Sequence, residues 1–328
     1  MTGKKRVLSG MRPTGPLHLG NLHGALLNWV NMQEQYECFF FIADWHALTS
    51  DYEDTGHISE YVRILLIDWL SAGLSPDKST LFIQSHIKEH AELFLILSMI
   101  TPVPWLERNP TYKDQILQLN NKDLSTFGFL GYPVLQAADI IMYKAYGVPV
   151  GVDQVPHVEI TREIARRFNY LYGEIFPEPE SILTQTPKIL GIDGRKMSKS
   201  YDNAIFLSDS PDDITAKVDR MLTDPQRARK NDPGNPDVCN VYEFHKLYSD
   251  NQTIERINRE CRSADIGCVE CKRIMAEYLI AFLEPMRQKR NDYESRPDIV
   301  DDIIADGCEK ARRVARQTMT EVRAAIKI

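Results

Sequence analysis

The sequence predicts an α/β protein, with a Rossmann-like, doubly wound parallel sheet over residues 1–201 and an all-helical region over 202–328. Three observations carry that expectation. Short apolar runs of strand length alternate with amphipathic segments through the first two hundred residues, which is the pattern of a parallel sheet covered by helices on both faces. The most apolar of these runs, Cys38-Phe39-Phe40-Phe41-Ile42-Ala43, is continuous rather than alternating, as a strand buried on both sides requires. After Ser200 the strand-like runs stop, and punctuation rich in Pro, Asp and Asn (208–213, then 231–237) separates helical segments through to Ile328.

In chain order, residues 7–10, 38–43 and 79–83 read as buried strands, and Leu19 to Tyr36 and His57 to Ala72 carry apolar residues at helical spacing between them. Residues 101–127 break the alternation and read as an insertion at the edge. Gly131 to Tyr146 and Asp153 to Phe168 resume helical spacing, with a Gly-Tyr-Pro turn read as the start of the helix that holds Asp139. The final helix, about Asp298 to Ala325, is long enough to pack back onto the first domain.

At 328 residues, 43% hydrophobic and 26% charged, the chain can bury a substantial core in one large or two medium domains. The apolar stretch after the first six residues is too short for a signal-peptide core, and no run approaches membrane-spanning length, so a cytoplasmic protein is expected. A net charge of −7 argues against a protein coated in nucleic acid. It leaves room for a folded RNA met through a local basic surface.

Two segments are suited to phosphate. The first, Pro13-Thr14-Gly15-Pro16-Leu17-His18-Leu19-Gly20-Asn21, follows the first strand and opens the first helix. There a Gly/Pro turn admits a ligand to the backbone and His18 can donate to an anion. A tight turn capping a helix is the plainer reading. The second, Lys196-Met197-Ser198-Lys199-Ser200, follows the flexible turn 191–194 and puts two cations either side of one serine. Alone it reads as a charged surface loop. Together, in this order and context, the two segments resemble the paired signatures of class I aminoacyl-tRNA synthetases, with Asn21 standing where many members carry a second histidine. That resemblance implies activation of an amino acid by ATP with Mg²⁺, and transfer of the adenylate to tRNA. His18, Asn21, Lys196 and Lys199 would stabilise the departing pyrophosphate.

Tyr132, Gln136 and Asp139 fall at i, i+4 and i+7, one face of a helix. A carboxylate on that apolar face needs a donor. A salt bridge or cap would satisfy it, and so would a ligand side chain that donates only, such as an indole N–H. The runs 132–139, 148–154 (Val148-Pro149-Val150-Gly151-Val152-Asp153-Gln154) and 41–49, with the ending around Arg313 to Ala325, resemble the bacterial tryptophanyl-tRNA synthetase family along essentially the whole chain. By that resemblance Asp139 reads the indole nitrogen, and Leu8, Gly10, His46, Tyr132, Gln136, Val148, Val150 and Gln154 surround tryptophan. Arg12, Pro13, Thr14, Gly20, Asn21, Lys113, Gly151, Val152, Asp153, Ile189 and residues 196–200 would contact ATP, Arg12 standing where other members carry glutamine. Partners implied are L-tryptophan, tRNA(Trp) and a second copy in a homodimer. The tyrosine enzymes share both signatures, but usually show a doubled glycine before the Asp-Gln pair, where Gly151 stands alone. A synthetase-like binding module without activity is a further alternative, against which both intact signatures argue.

Four of the six cysteines cluster as C-x21-C-x6-C-x2-C: Cys239, Cys261, Cys268 and Cys271. Free buried thiols, a structural zinc ion and a four-iron four-sulfur cluster all suit such a set. A subset of the bacterial tryptophan family carries a similar pattern, one residue longer in its first gap, in the domain that binds the anticodon. The resemblance therefore implies a 4Fe–4S cluster there.

Overall fold

A computed structural model describes residues 3–108, 124–184 and 189–328, with Asp153 described in its backbone alone. The chain divides into two compact units: 1–15, 28–186 and 296–328 form the first, 16–27 and 187–295 the second.

Strand β1 (Arg6–Met11) leads into one continuous helix in three pieces, α1 (Leu19–Asn21), a π turn (Leu22–Leu26) and α2 (Leu27–Met32). β2 (Glu37–Ile42), α3 (Asp44–Asp51), α4 (Ile58–Ala72) and β3 (Ser79–Ile83) follow. Next come α5 (Glu89–Ile100), α6 (Val103–Glu107), α7 (Phe127–Met142), β4 (Gly147–Val150), α8 (Val155–Tyr172) and β5 (Glu180–Leu183). The strands pair in parallel in the order β3-β2-β1-β4-β5. The order reverses between β1 and β4, so the crevice outside their carboxyl ends is where a doubly wound sheet takes its ligand.

β2 is buried along five of its six residues, because helices cover both faces. Phe39, Phe41 and Phe82 pack with Leu93 and Leu97 of α5 and with Ala138 and Ile141 of α7. Two elements depart from the sequence reading. The helix holding Asp139 begins not at Tyr132-Pro133 but at Phe127, capped by the Thr126 hydroxyl, and Pro133 lies inside it. Packing of an almost wholly apolar helix outweighs the one ladder bond that Pro133 deletes. β4 went unread as a strand because it is short and holds Pro149, yet it is central, paired with β1 and β5.

The second unit is helical: α9 (Pro211–Asp219), α10 (Asn240–Tyr248), α11 (Asn251–Arg262) and α12 (Cys268–Glu294). Ser210 and Asp213 form a reciprocal capping box at α9, and Asp250 caps α11. The last helix, α13 (Pro297–Ile326), belongs to the first unit and packs on β3 and α5. Its Gly307 presses on the sheet so closely that an added Cβ would sit 1.7 Å from the Leu81 carbonyl oxygen. Among the described residues no helix is long and apolar enough to cross a membrane.

Candidate active site

In the second unit, residues 16–27 and the loop 196–200 come together. His18 is the N-cap of α1: its backbone N–H donates to Asn21 Oδ1 at 3.1 Å, and its Nδ1 accepts the Asn21 N–H at 3.3 Å. Since Nδ1 is an acceptor, the neutral ring carries its proton on Nε2, as a phosphate donor should. Burial, then the positive charges of Lys199 and Lys196, hold the His18 pKa down at about 4. The ring is therefore neutral at physiological pH and donates without adding charge. Gly20 is needed here, since a Cβ would meet the His18 ring at 2.9 Å and Met197 Cβ at 3.6 Å. Met197 is buried, and its N–H donates to Ile189 O at 3.2 Å, which anchors the loop while Lys196 and Ser200 stay exposed.

Asn203 organises this loop, and nothing in the sequence marks it. It is 1% exposed; its Oδ1 accepts the Ser198 N–H at 2.8 Å, and its Nδ2 donates to Asp193 Oδ1 at 2.8 Å and Lys196 O at 3.2 Å. Gly191 makes room, for a Cβ there would fall 2.3 Å from the Asn203 amide. The two lysines thus stand on a braced turn.

A low His18 pKa has a signed consequence. The unfolded chain takes up this proton near pH 6.5 and the folded chain only near 4, so His18 contributes stability above pH 6.5 that is lost as pH falls toward 4. A histidine titration followed by NMR should place His18 near 4 in the free protein and higher with ATP bound, as the phosphates offset the lysines. A value near 6.5 in the free protein would remove this account.

In the first unit the Asp139 carboxylate is fully buried. His46 Nε2 lies 2.8 Å from Oδ2, His90 Nδ1 lies 2.5 Å from Oδ1, and Gln84 Nε2 donates to both oxygens at 2.8 and 2.9 Å. Burial alone would push this carboxyl upward, but the hydrogen bonds from His46 and His90 prevail and hold it below its ordinary value. It is an ionised acceptor in an apolar setting. Tyr132 Oη lies 3.2 Å from His157 Nε2, with the phenol pushed upward by burial.

The remaining residues singled out in the sequence divide by position. Gly10 is exposed at the end of β1, where a Cβ would strike the Phe41 ring at 2.5 Å. Arg12, donating to Ser50 Oγ at 3.3 Å, and Thr14 are exposed just beyond it, beside buried Pro13. Across the strand reversal, Val148 and Val150 are buried on β4, Gly151 and Gln154 are half-buried and Val152 is 77% exposed. Gln136 is half-buried on α7, whereas Leu8 is 1% exposed and lies within the core. Lys113 and the Asp153 side chain lie outside the described residues. Gln84, His90 and Tyr143 were missed: the need of Asp139 for donors was legible, but no motif names which side chains supply them.

The four clustered cysteines sit at the N-cap of α10 (Cys239), near the end of α11 (Cys261) and in the first turn of α12 (Cys268, Cys271). Burial pushes the thiols of Cys239, Cys261 and Cys271 up, the last to about 12, and the charges of their neighbouring thiolates add to the rise. Arg227 Nη1 lies 3.9 Å from Cys261 Sγ. Among the described residues, however, no group of three or more His, Cys, Asp or Glu side chains is arranged to hold a metal ion, so the expectation of a metal site is not met by this arrangement. The basic residues Lys246, Arg262 and Arg273 are exposed in ion pairs with Glu243, Asp237 and Glu277, and Lys272 donates to Asp219 O.

Comparison with known proteins agrees with this geometry. The family model for tRNA synthetases class I (W and Y) matches residues 1–284. A tryptophan–tRNA ligase of Thermotoga maritima is 54% identical, across 98% of this chain and 99% of its own length. One from Aquifex aeolicus is 47% identical across 98% and 100%. Among solved structures, tryptophanyl-tRNA synthetase from Campylobacter jejuni, complexed with ADP and tryptophan, superposes with a TM-score of 0.92 at 35% identity, covering 98% of this chain and 100% of that one. With a strand order that reverses between β1 and β4, a neutral His18 held down by the charges of two lysines and near-complete coverage by such relatives, the chain belongs to the class I tRNA synthetases of the tryptophan and tyrosine family.

Proposed function

We propose that the chain joins L-tryptophan to tRNA(Trp), through tryptophanyl adenylate made from ATP. The buried, ionised Asp139 carries the choice of amino acid, because an indole N–H is a donor with no acceptor capacity and a carboxylate only accepts. The names of relatives at 54% and 47% identity support it. The tryptophan carboxylate attacks the α-phosphate in line, forming the acyl–phosphate bond as the bond to pyrophosphate breaks. No protein nucleophile is needed, so the protein positions the reactants and stabilises charge. His18 donates from Nε2 to the leaving phosphates, Asn21 holds that ring, and Lys196 and Lys199 balance the developing charge, which Mg²⁺ arriving with the nucleotide shares. The test is pyrophosphate–ATP exchange with each amino acid in turn. Exchange that depends on tryptophan is expected; exchange with tyrosine alone, or with none, would sink the reading.

The same reading assigns residues 1–201 to catalysis and 202–328 to the anticodon, with α13 packed back on the first unit, and weak surface ion pairs at Lys246, Arg262 and Arg273 can be traded for phosphate. A cytoplasmic homodimer accompanies it. Met99, Val103 and Phe127, 75%, 50% and 70% exposed, are apolar surface that a second copy would cover. Cys239, Cys261, Cys268 and Cys271 would hold a 4Fe–4S cluster that braces the helical unit. What supports it is a set of four thiols, Cys239 buried and the others half-buried, whose charged forms repel one another, a repulsion that an iron–sulfur core relieves. Protein purified without oxygen should contain four iron and four sulfide per chain by this ligand count. A metal-free preparation, or one with zinc, would overturn it.

A further inference from the structure

The Asp139 carboxylate has three donors, and they are not equivalent. Gln84 and His90 are wholly buried, whereas the His46 side chain keeps 11% of its surface exposed. Each buried donor is held from behind. Gln84 Oε1 accepts the Trp45 N–H at 3.2 Å, which orients the amide so that its nitrogen faces Asp139. His90 Nε2 lies 2.7 Å from Tyr143 Oη, and Tyr143 is fully buried. An ionised carboxylate can only accept, so His90 Nδ1 donates to it, and the Tyr143 hydroxyl at Nε2 holds the ring in that orientation.

Oδ1 is thereby committed to buried donors, and Oδ2 is shared between Gln84 and the one donor at the surface of the cluster. A carboxylate has about four acceptor positions and all four are taken, so an incoming N–H must displace a donor, and His46 is the one that can leave. We infer that His90 and Tyr143 are positioning residues for amino-acid selection: they fix Asp139 so that Oδ2 alone, on release by His46, reads a ligand N–H. This rests on the tryptophan reading above and adds residues to it that touch no ligand themselves. Without the Tyr143 hydroxyl, Nε2 loses the partner that holds the ring from behind, and the grip on Oδ1 slackens.

The measurement is pyrophosphate exchange with tryptophan and with its isostere in which sulfur replaces the indole N–H. Wild-type protein should strongly prefer tryptophan, since an isostere leaves the buried carboxylate short of a donor. H90A should raise KM for tryptophan about 10- to 100-fold with kcat little changed, as expected for a lost hydrogen bond to a charged group. Its preference over the isostere should fall by a similar factor, and KM for ATP should not move. H90N, which keeps an N–H near the Nδ1 position, should recover most of the preference, and Y143F should fall between. Circular dichroism melting separates a misfolded variant from an informative one, and H90N and Y143F keep the test open should H90A fail to fold. If folded H90A and Y143F keep the wild-type preference, the inference is wrong. If the wild type shows no preference for tryptophan, the reading beneath it is wrong instead.

Discussion

Replacing both Lys196 and Lys199 with alanine is expected to slow tryptophan-dependent pyrophosphate exchange by about three orders of magnitude while leaving the melting temperature nearly unchanged. The size follows from the chemistry: one preorganised group aimed at developing charge is worth about 10²–10³ in rate. Two lysines acting on the same pyrophosphate make a unit whose double loss exceeds either single loss without being their product. The spared stability follows from burial. Lys196 is exposed and Lys199 half-exposed, whereas the groups that shape the loop, Met197 and Asn203, are buried and untouched. Because His18 is held down partly by these charges, the double variant should also raise the His18 pKa from about 4 toward its ordinary value. Unchanged exchange in a folded double variant would remove the lysines from the reaction.

The other large effect is on stability. Gly307→Ala sets two tendencies against each other, since alanine is favoured over glycine inside a helix by about 1 kcal/mol. Against that stands a methyl carbon 1.7 Å from the Leu81 carbonyl oxygen, a main-chain atom of β3 that cannot swing aside. Helix α13 would have to lift from the sheet, opening contacts of Cys308, Ala311, Ala315 and Met319. Overpacking costs about 1–3 kcal/mol, and more where only backbone can yield, so a net loss of about 3 kcal/mol is expected. Denaturant unfolding with an unchanged midpoint would show that the helix accommodates the methyl group.

Much of the fold was legible because it is patterned. Residues 38–43 are apolar without interruption and 79–83 close on Leu81-Phe82-Ile83, and β2 and β3 lie there. α4 and α13 begin and end within a few residues of their apolar patterns. β4 and the start of α7 were not legible, since in each a proline contradicts its local rule and tertiary packing decides. The site divides in the same way. His18, Lys196 and Lys199 were readable because their chemistry is confined to short segments. His90 meets Asp139 from 49 positions away and is itself held by Tyr143, 53 positions along the chain, and Asn203 braces its loop through the vacancy left by Gly191. Such roles arise from three-dimensional packing, and residue type alone does not announce them.

The placement of α13 also bears on how the protein comes into being. Cys308 Sγ lies 3.7 Å from His86 Nδ1, joining positions 222 apart, and Arg312 donates to the His86 carbonyl. During synthesis β3 therefore emerges long before the helix that covers it, and its apolar flank waits through the making of the whole helical unit. Pairings so distant in sequence form slowly, and nascent chains holding them open are prone to associate wrongly. The sheet is an early structure in the sequence and a late one in time, and a ribosome-bound chain shorter than about residue 297 would expose a face that the finished protein conceals.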